Sequence, residues 1–115
     1  MKIRVEPLDK VFSEYIRLRD KVCQRCFTPG NNIATAHFHG RSSKSVRWDE
    51  DNACALCLGC HSYLDSHPVE KVEFFRQRLG DEKFIHLDSR RRNTWPRPDK
   101  RLLDIYFQQK LRELK

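Results

Sequence analysis

Residues His37 to His61 read HFHGRSSKSVRWDEDNACALCLGCH. A histidine opens this stretch, Asn52 follows fifteen positions on, and His61 lies nine beyond that. Cys57 and Cys60 abut the last histidine, and a matching C-x2-C pair, Cys23 and Cys26, lies upstream. From Ile33 to His39 the residues alternate as in a strand. Ile33, Thr35, His37 and His39 fall on one face, with Ala34, Ala36 and Phe38 on the other. Gly40 to Ser45 is polar and loop-like, and Val46-Arg47-Trp48 reads as a short returning strand. Asp49 to Asn52 is a turn leading to a helix over about Leu58–Ser66, which Pro68 ends. The expected order is therefore strand, loop, strand, helix.

Two C-x2-C pairs can surround Zn2+ with four thiolates, the tetrahedral sulfur set that this borderline-soft d10 ion takes in structural sites. The separation between the pairs is long for a simple ribbon and fits a ribbon carrying the strand–loop–strand segment as an insert. Cys54-x2-Cys57 is also a C-x2-C. The later pair is preferred because Cys60 precedes His61, so a metal there anchors the following helix; Cys54 is then a small buried residue. An odd cysteine count, five, arranged in pairs, favours metal over disulfides. Pro29-Gly30 and Asn31-Asn32, just after the first pair, are turn chemistry.

Outward from this centre, residues 1–6 read as an edge strand or a disordered start. Pro7 to about Asp20 reads as a helix with Leu8, Val11, Phe12, Tyr15 and Ile16 on one side, Pro7 in its first turn and Asp9 at its positive end. Val69 to Leu79 is a second amphipathic helix stopped by Gly80. A short helical turn is expected over Glu82–Leu87, then a basic, proline-broken connector over Ser89–Pro98. A last helix over Lys100–Leu114 is capped by Asp99.

The whole chain, 115 residues, suits one small domain: a core over about 21–67, an N-terminal helix over about 8–20 and a helical extension over about 69–115. Apolar residues make up 38% and charged residues 34%, little core for such a length, so a metal staple or a partner chain is expected. Twenty-three basic side chains against sixteen acidic ones give a formal charge of +7, which points to a polyanionic partner such as nucleic acid. With no apolar leader in MKIRVEPLDK and no membrane-length apolar run, a cytoplasmic location is the expectation, where thiols stay reduced.

Cys23-x2-Cys26, Ala36-His37-Phe38, Asn52 and Cys57-Leu-Gly-Cys60-His61 together resemble the zinc-containing HNH endonucleases, a branch of the His-Me finger (ββα-metal) superfamily. The His37–Asn52–His61 spacing is similar to the core of the colicin DNases. LDKVFSEYIRLRD followed by CQRC, with Arg41 and Trp48 later, is similar to phage recombination nucleases of the NinG/Rap type. The likeness covers about residues 8–65. It implies an α+β fold, a small ββα-metal domain stapled by a four-cysteine zinc knuckle with flanking helices, which hydrolyses DNA. Branched recombination intermediates of phage origin are the implied substrate.

In that likeness His37 is the general base and His61 ligates a catalytic Mg2+ or Mn2+. Asp65, one helical turn on, is a second candidate ligand, and Asn52 either holds the hairpin loop or touches the metal. Where many HNH proteins carry an acidic residue or histidine just before the base, this chain has Ala36; His39, Asp65 or His67 are the alternatives for completing the site. Arg41, Lys44 and Arg47 in the loop are candidate phosphate contacts. So are Arg90, Arg91 and Arg92, with Trp95 and Arg97 nearby. A solvated basic linker is an equal reading of that run. The last helix packs on its own core or on a second copy, giving a homodimer. Two other readings stay open: a non-catalytic zinc-stabilised DNA-binding module, which Ala36 favours, and an adaptor using the fold for protein contacts.

Overall fold

The computed structural model of the chain describes residues 4–29 and 32–115. Gly30, Asn31 and the first half of the expected N-terminal strand lie outside the described residues. Among the described residues five helices surround one two-stranded antiparallel sheet. In chain order these are α1 (Pro7–Asp20), β1 (Ile33–His37), β2 (Ala53–Cys57), α2 (Leu58–Asp65), α3 (Pro68–Leu79), α4 (Asp81–Arg92) and α5 (Lys100–Leu114). The α+β class is as expected.

Helix α1 starts where the sequence EPLD places a reciprocal cap. Glu6 and Asp9 each accept from the other's backbone N–H, and Pro7 occupies the first turn. Its buried side, Leu8, Phe12, Tyr15 and Ile16, packs with Trp48, Ala53, Phe107 and Leu111, so α1 and α5 close over the hairpin loop as one core. The last helix therefore packs on its own chain; Leu102, Ile105 and Tyr106 on its other side are exposed. A second core lies under β2 and α2 and holds Cys23, Ala36, Cys54, Leu56, Cys60, Leu64 and Phe75. Truncating one of its large residues, Phe75, is worth about 3–5 kcal/mol.

The register pairs His37 with Ala53, Ala36 with Cys54 and Ile33 with Cys57. Two sequence expectations fail here. Val46-Arg47-Trp48 is not a returning strand: Lys44–Val46 is a turn of 3-10 helix, and the returning strand is Ala53–Cys57. Val46 and Trp48 are apolar because they plug the core, both being buried. The true strand is buried on both faces along Ala53 to Leu56, so it lacks the alternation by which strands are read. Further on, α4 runs from Asp81 to Arg92 rather than over Glu82–Leu87, absorbing the start of the expected connector. No helix of the described residues is long and apolar enough to cross a membrane.

Candidate metal centre and histidine cleft

The Cys23, Cys26, Cys57 and Cys60 sulfurs all lie within 4.8 Å of one another. A tetrahedron with metal–sulfur bonds of about 2.3 Å has edges of about 3.8 Å, and Cys26 Sγ and Cys57 Sγ are 3.7 Å apart. Four sulfurs at this spacing fit a metal ion such as zinc. Local backbone builds both halves. The Cys26 N–H donates to Cys23 Sγ (3.5 Å), and the Cys60 N–H donates to Cys57 Sγ (3.4 Å), with Cys57 as the N-cap of α2. Phe27 closes the first turn at φ 61°, its N–H bonded to the Cys23 carbonyl. Asp20 and Gln24 tie this turn to β2: Ala55 N–H donates to Asp20 Oδ2, and Gln24 N–H donates to the Ala55 carbonyl.

The sulfurs differ electrostatically. The Thr28 hydroxyl and backbone bring the exposed Cys26 thiol down to about 6. Burial pushes Cys60 up to about 12, against the opposing pull of Arg25, whose Nη1 lies 3.5 Å from Cys60 Sγ and whose guanidinium sits over the Tyr63 ring. Burial also raises Cys23, but backbone N–H donors at Cys26, Cys57 and Arg25 outweigh it and leave that thiol below its ordinary value. Cys54, buried in the core beside the cluster, is pushed up to about 12 by burial and stays outside the sulfur group, as expected. Arg25 and Thr28 act here as donors to sulfur. From the sequence Arg25 reads as a phosphate contact or a solvated charge and Thr28 carries no signal, since nothing in a C-x2-C spacing says which neighbours face the thiolates.

On the other side of α2's first turn lies a cleft of about 760 Å3. His37, His61 and Asp65 line it together with Thr35, Arg41 and Asp9. The last residue of β1 supplies His37, and α2 supplies His61 and Asp65, whose Nε2 and Oδ2 are 3.4 Å apart. Asp65 is shared with Lys71, 3.1 Å from its other oxygen. Burial and the positive charge of Arg41 bring His37 down to about 4, with Asp9 opposing them. Its Nε2 is buried and has no hydrogen-bond partner within the protein. Among the described residues the cleft brings no three His, Cys, Asp or Glu donor atoms within 4.8 Å of one another.

Ala36 and His39 are resolved by geometry. Alternation along β1 turns Ala36 away from the cleft into the second core, so a ligand at that position would not reach His37's side. His39 lies beyond the end of the strand, packs against Phe38 (4.5 Å between centroids) and does not line the cleft; burial and Arg91 lower its pKa. His39 is therefore not a cleft ligand. His67 caps instead, its Nδ1 2.7 Å from the Tyr63 carbonyl and its ring stacked on Tyr63.

Asn52 is a loop clamp. It is fully buried; its Oδ1 accepts from the His39 N–H (2.8 Å), and its Nδ2 donates to the His39 and Val46 carbonyls (2.9 and 3.1 Å). Its side-chain amide is bonded to backbone on both sides of the loop, which aims the end of β1.

The basic residues divide as well. Arg41 lines the cleft, 3.9 Å from Asp9. Arg47 is not available to phosphate: it is 3% exposed, donating to Asp9 from Nε (3.0 Å) and Nη2 (2.6 Å), while the Trp48 indole N–H donates to the same carboxylate at 3.0 Å. Asp9, read from sequence as a helix-end charge, is the hub that fixes the loop beneath His37. Arg90 is likewise committed, to Asp49 (2.6 Å) and Asp51 (3.1 Å), and Arg92 pairs with Asp88 at 3.4 Å. Lys44 and Arg91 are exposed.

Comparison of the chain with protein-family models, with curated proteins and with solved structures found no match.

Proposed function

We propose that the chain is a metal-dependent endonuclease of the HNH (His-Me finger) type that hydrolyses DNA phosphodiester bonds, with a structural zinc in the four-cysteine cluster. The observation that carries this reading is the cleft shared by His37 and His61, one histidine from the end of a hairpin strand and the other from the helix that the thiols anchor. The strand–strand–helix order and the +7 charge agree with it.

The residues fit the chemistry a phosphodiester requires. His37 is neutral near pH 7 because it sits well below its ordinary pKa. His37, which lines the cleft, is the base that takes a proton from the attacking water, and the incoming phosphate's negative charge raises its basicity. As the water oxygen bonds phosphorus, the bond to the 3′ oxygen breaks, leaving a 5′-phosphate and a 3′-hydroxyl. Arg41, at the cleft wall, neutralises phosphate charge. His61 and Asp65 present two adjacent donor atoms for a divalent cation, Mg2+ or Mn2+. That ion, when bound, supplies stabilisation of the departing oxygen.

Nicking of supercoiled plasmid with Mg2+ or Mn2+ tests the reading. Wild type should cleave, and His37→Ala should lose about 10²- to 10⁴-fold in rate. Equal DNA binding with no cleavage by either protein would instead establish a zinc-stabilised DNA-binding module. The engagement of Asp65 by Lys71 is the observation on that side.

A further inference from the structure

A groove of about 1180 Å3 adjoins the histidine cleft. Val5 lines both, and one loop is divided between them: Gly40 and Arg41 face the cleft, Ser42 to Ser45 the groove. Six cations line the groove, Arg4, Lys44, Arg47, Arg91, Arg97 and Lys100, against one carboxylate, Glu6. Arg47 is consumed by Asp9, and Lys100 by Glu6 at 2.8 Å. Arg4, Lys44, Arg91 and Arg97 have no carboxylate within 4.0 Å among the described residues, and all four are exposed.

The walls are fixed by contacts separate from these four side chains. Ser45 Oγ donates to the Arg91 carbonyl (3.0 Å), and Arg90 grips Asp49 and Asp51, so α4 is locked to the loop. Like charges held together over an open groove repel one another, and a polyanion relieves that. Beside the groove, between Thr94 and Arg97 of its lining, the Trp95 ring is 79% exposed. A cationic track next to a bare indole is the arrangement that holds an unpaired strand, phosphates on the cations and a base on the ring. Duplex stacking leaves no base free to lie on it.

We propose that this groove binds a single-stranded segment of nucleic acid, with its phosphates on Arg4, Lys44, Arg91 and Arg97 and a base stacked on Trp95. The shared loop then leads that strand toward His37. Only this destination rests on the nuclease reading; the binding does not.

Fluorescence anisotropy of a labelled oligothymidylate and of a labelled blunt duplex, with the full metal-loaded protein over a salt series, tests it. The double variant Lys44→Glu/Arg91→Glu should weaken oligothymidylate binding at least about 10-fold and flatten the salt slope by about 1.4, two single-strand phosphates. Trp95→Ala should cost about 5- to 100-fold on the single strand and under about 2-fold on the duplex, with Trp95→Phe largely restoring it. Binding should also quench the exposed indole, a signal lost in Trp95→Ala, since Trp48 is buried. Unchanged affinity in the charge-reversed variant, or equal loss on both substrates in Trp95→Ala, overturns the proposal; circular dichroism confirms that each variant is folded. Single-strand binding that His37→Ala leaves intact, in a protein that never cleaves, removes the nuclease reading and keeps the groove.

Discussion

The sulfur cluster and the histidine cleft share a helix, yet they are built in opposite ways. Cys57 caps α2 and Cys60 sits in its first turn, so half of the cluster is set by four consecutive residues, with N–H donors to sulfur already in the turn. The other half repeats this at Cys23–Cys26. The cleft has no such local unit. His37 comes from a strand end whose aim depends on Asn52, on the Asp9–Arg47 pair and on Trp48, all reaching across the hairpin loop. A site made of local turns survives as a spacing in the sequence; the contacts that aim a site built across the fold do not.

The largest effect that can break this contrast is loss of the metal. Structural zinc contributes about 10–16 kcal/mol in small domains, far above the stability of a chain this size. Cys57→Ser, or chelation of the wild type, should abolish cooperative thermal unfolding, and metal analysis should fall from one ion per chain to none. A chelated protein that still melts cooperatively would mean that the two apolar cores hold the fold alone.

Next comes the cleft's support. Asp9→Ala leaves the buried Arg47 with the Arg4 carbonyl, at 2.8 Å, and the Glu6 carboxylate, at 3.3 Å, and should cost about 3 kcal/mol in urea unfolding. Metal content should stay at one ion per chain. Metal loss in this variant would show that the two regions are not independent. Replacing both partners, Asp9→Ala with Arg47→Met, should recover part of the loss.

Smaller is the titration of His37. Its folded pKa, about 4, lies below the ordinary 6.5, so between these values the unfolded chain binds more protons. Stability from this group is complete above 6.5 and is lost as pH falls toward 4. The loss is at most about 3 kcal/mol, from about 1.4 kcal/mol per pKa unit. Because acid also protonates thiols, the measurement is the difference between wild type and His37→Gln across that window. Equal slopes for the two proteins would place His37 in solvent rather than in the cleft wall.

These differences explain what could be read in advance. The thiol set, the buried Cys54, α1, α2, α3 and α5 were legible because capping residues, C-x2-C spacing and helical periodicity are local. Strand β2 carries no strand signature because its residues are buried on both faces, while Val46 and Trp48 mimic a strand by being core plugs. His39 shares a strand face with His37 only as far as the strand continues, and β1 stops at His37. Arg47 and Arg90 looked like phosphate ligands because sequence shows their charge and not the carboxylates that neutralise it. Asp9 carried no signal beyond its place at the positive end of α1, and its partners are thirty-eight and thirty-nine residues away.

The smallest effect sharpens the claim that the knuckle is a backbone device. Phe27 holds φ at 61°, a left-handed conformation that costs a non-glycine residue about 1–2 kcal/mol. Its ring is 67% exposed, so little packing compensates. Glycine removes that cost but adds about 0.5–1 kcal/mol of unfolded-chain entropy. Phe27→Gly should therefore raise stability by at most about 1.5 kcal/mol, with the Cys23–Cys26 turn and metal binding retained. Chemical denaturation of the metal-loaded protein reads this directly. A loss of stability would mean that the exposed Phe27 ring contributes packing that outweighs its backbone cost, and the turn would then depend on side chains as the cleft does.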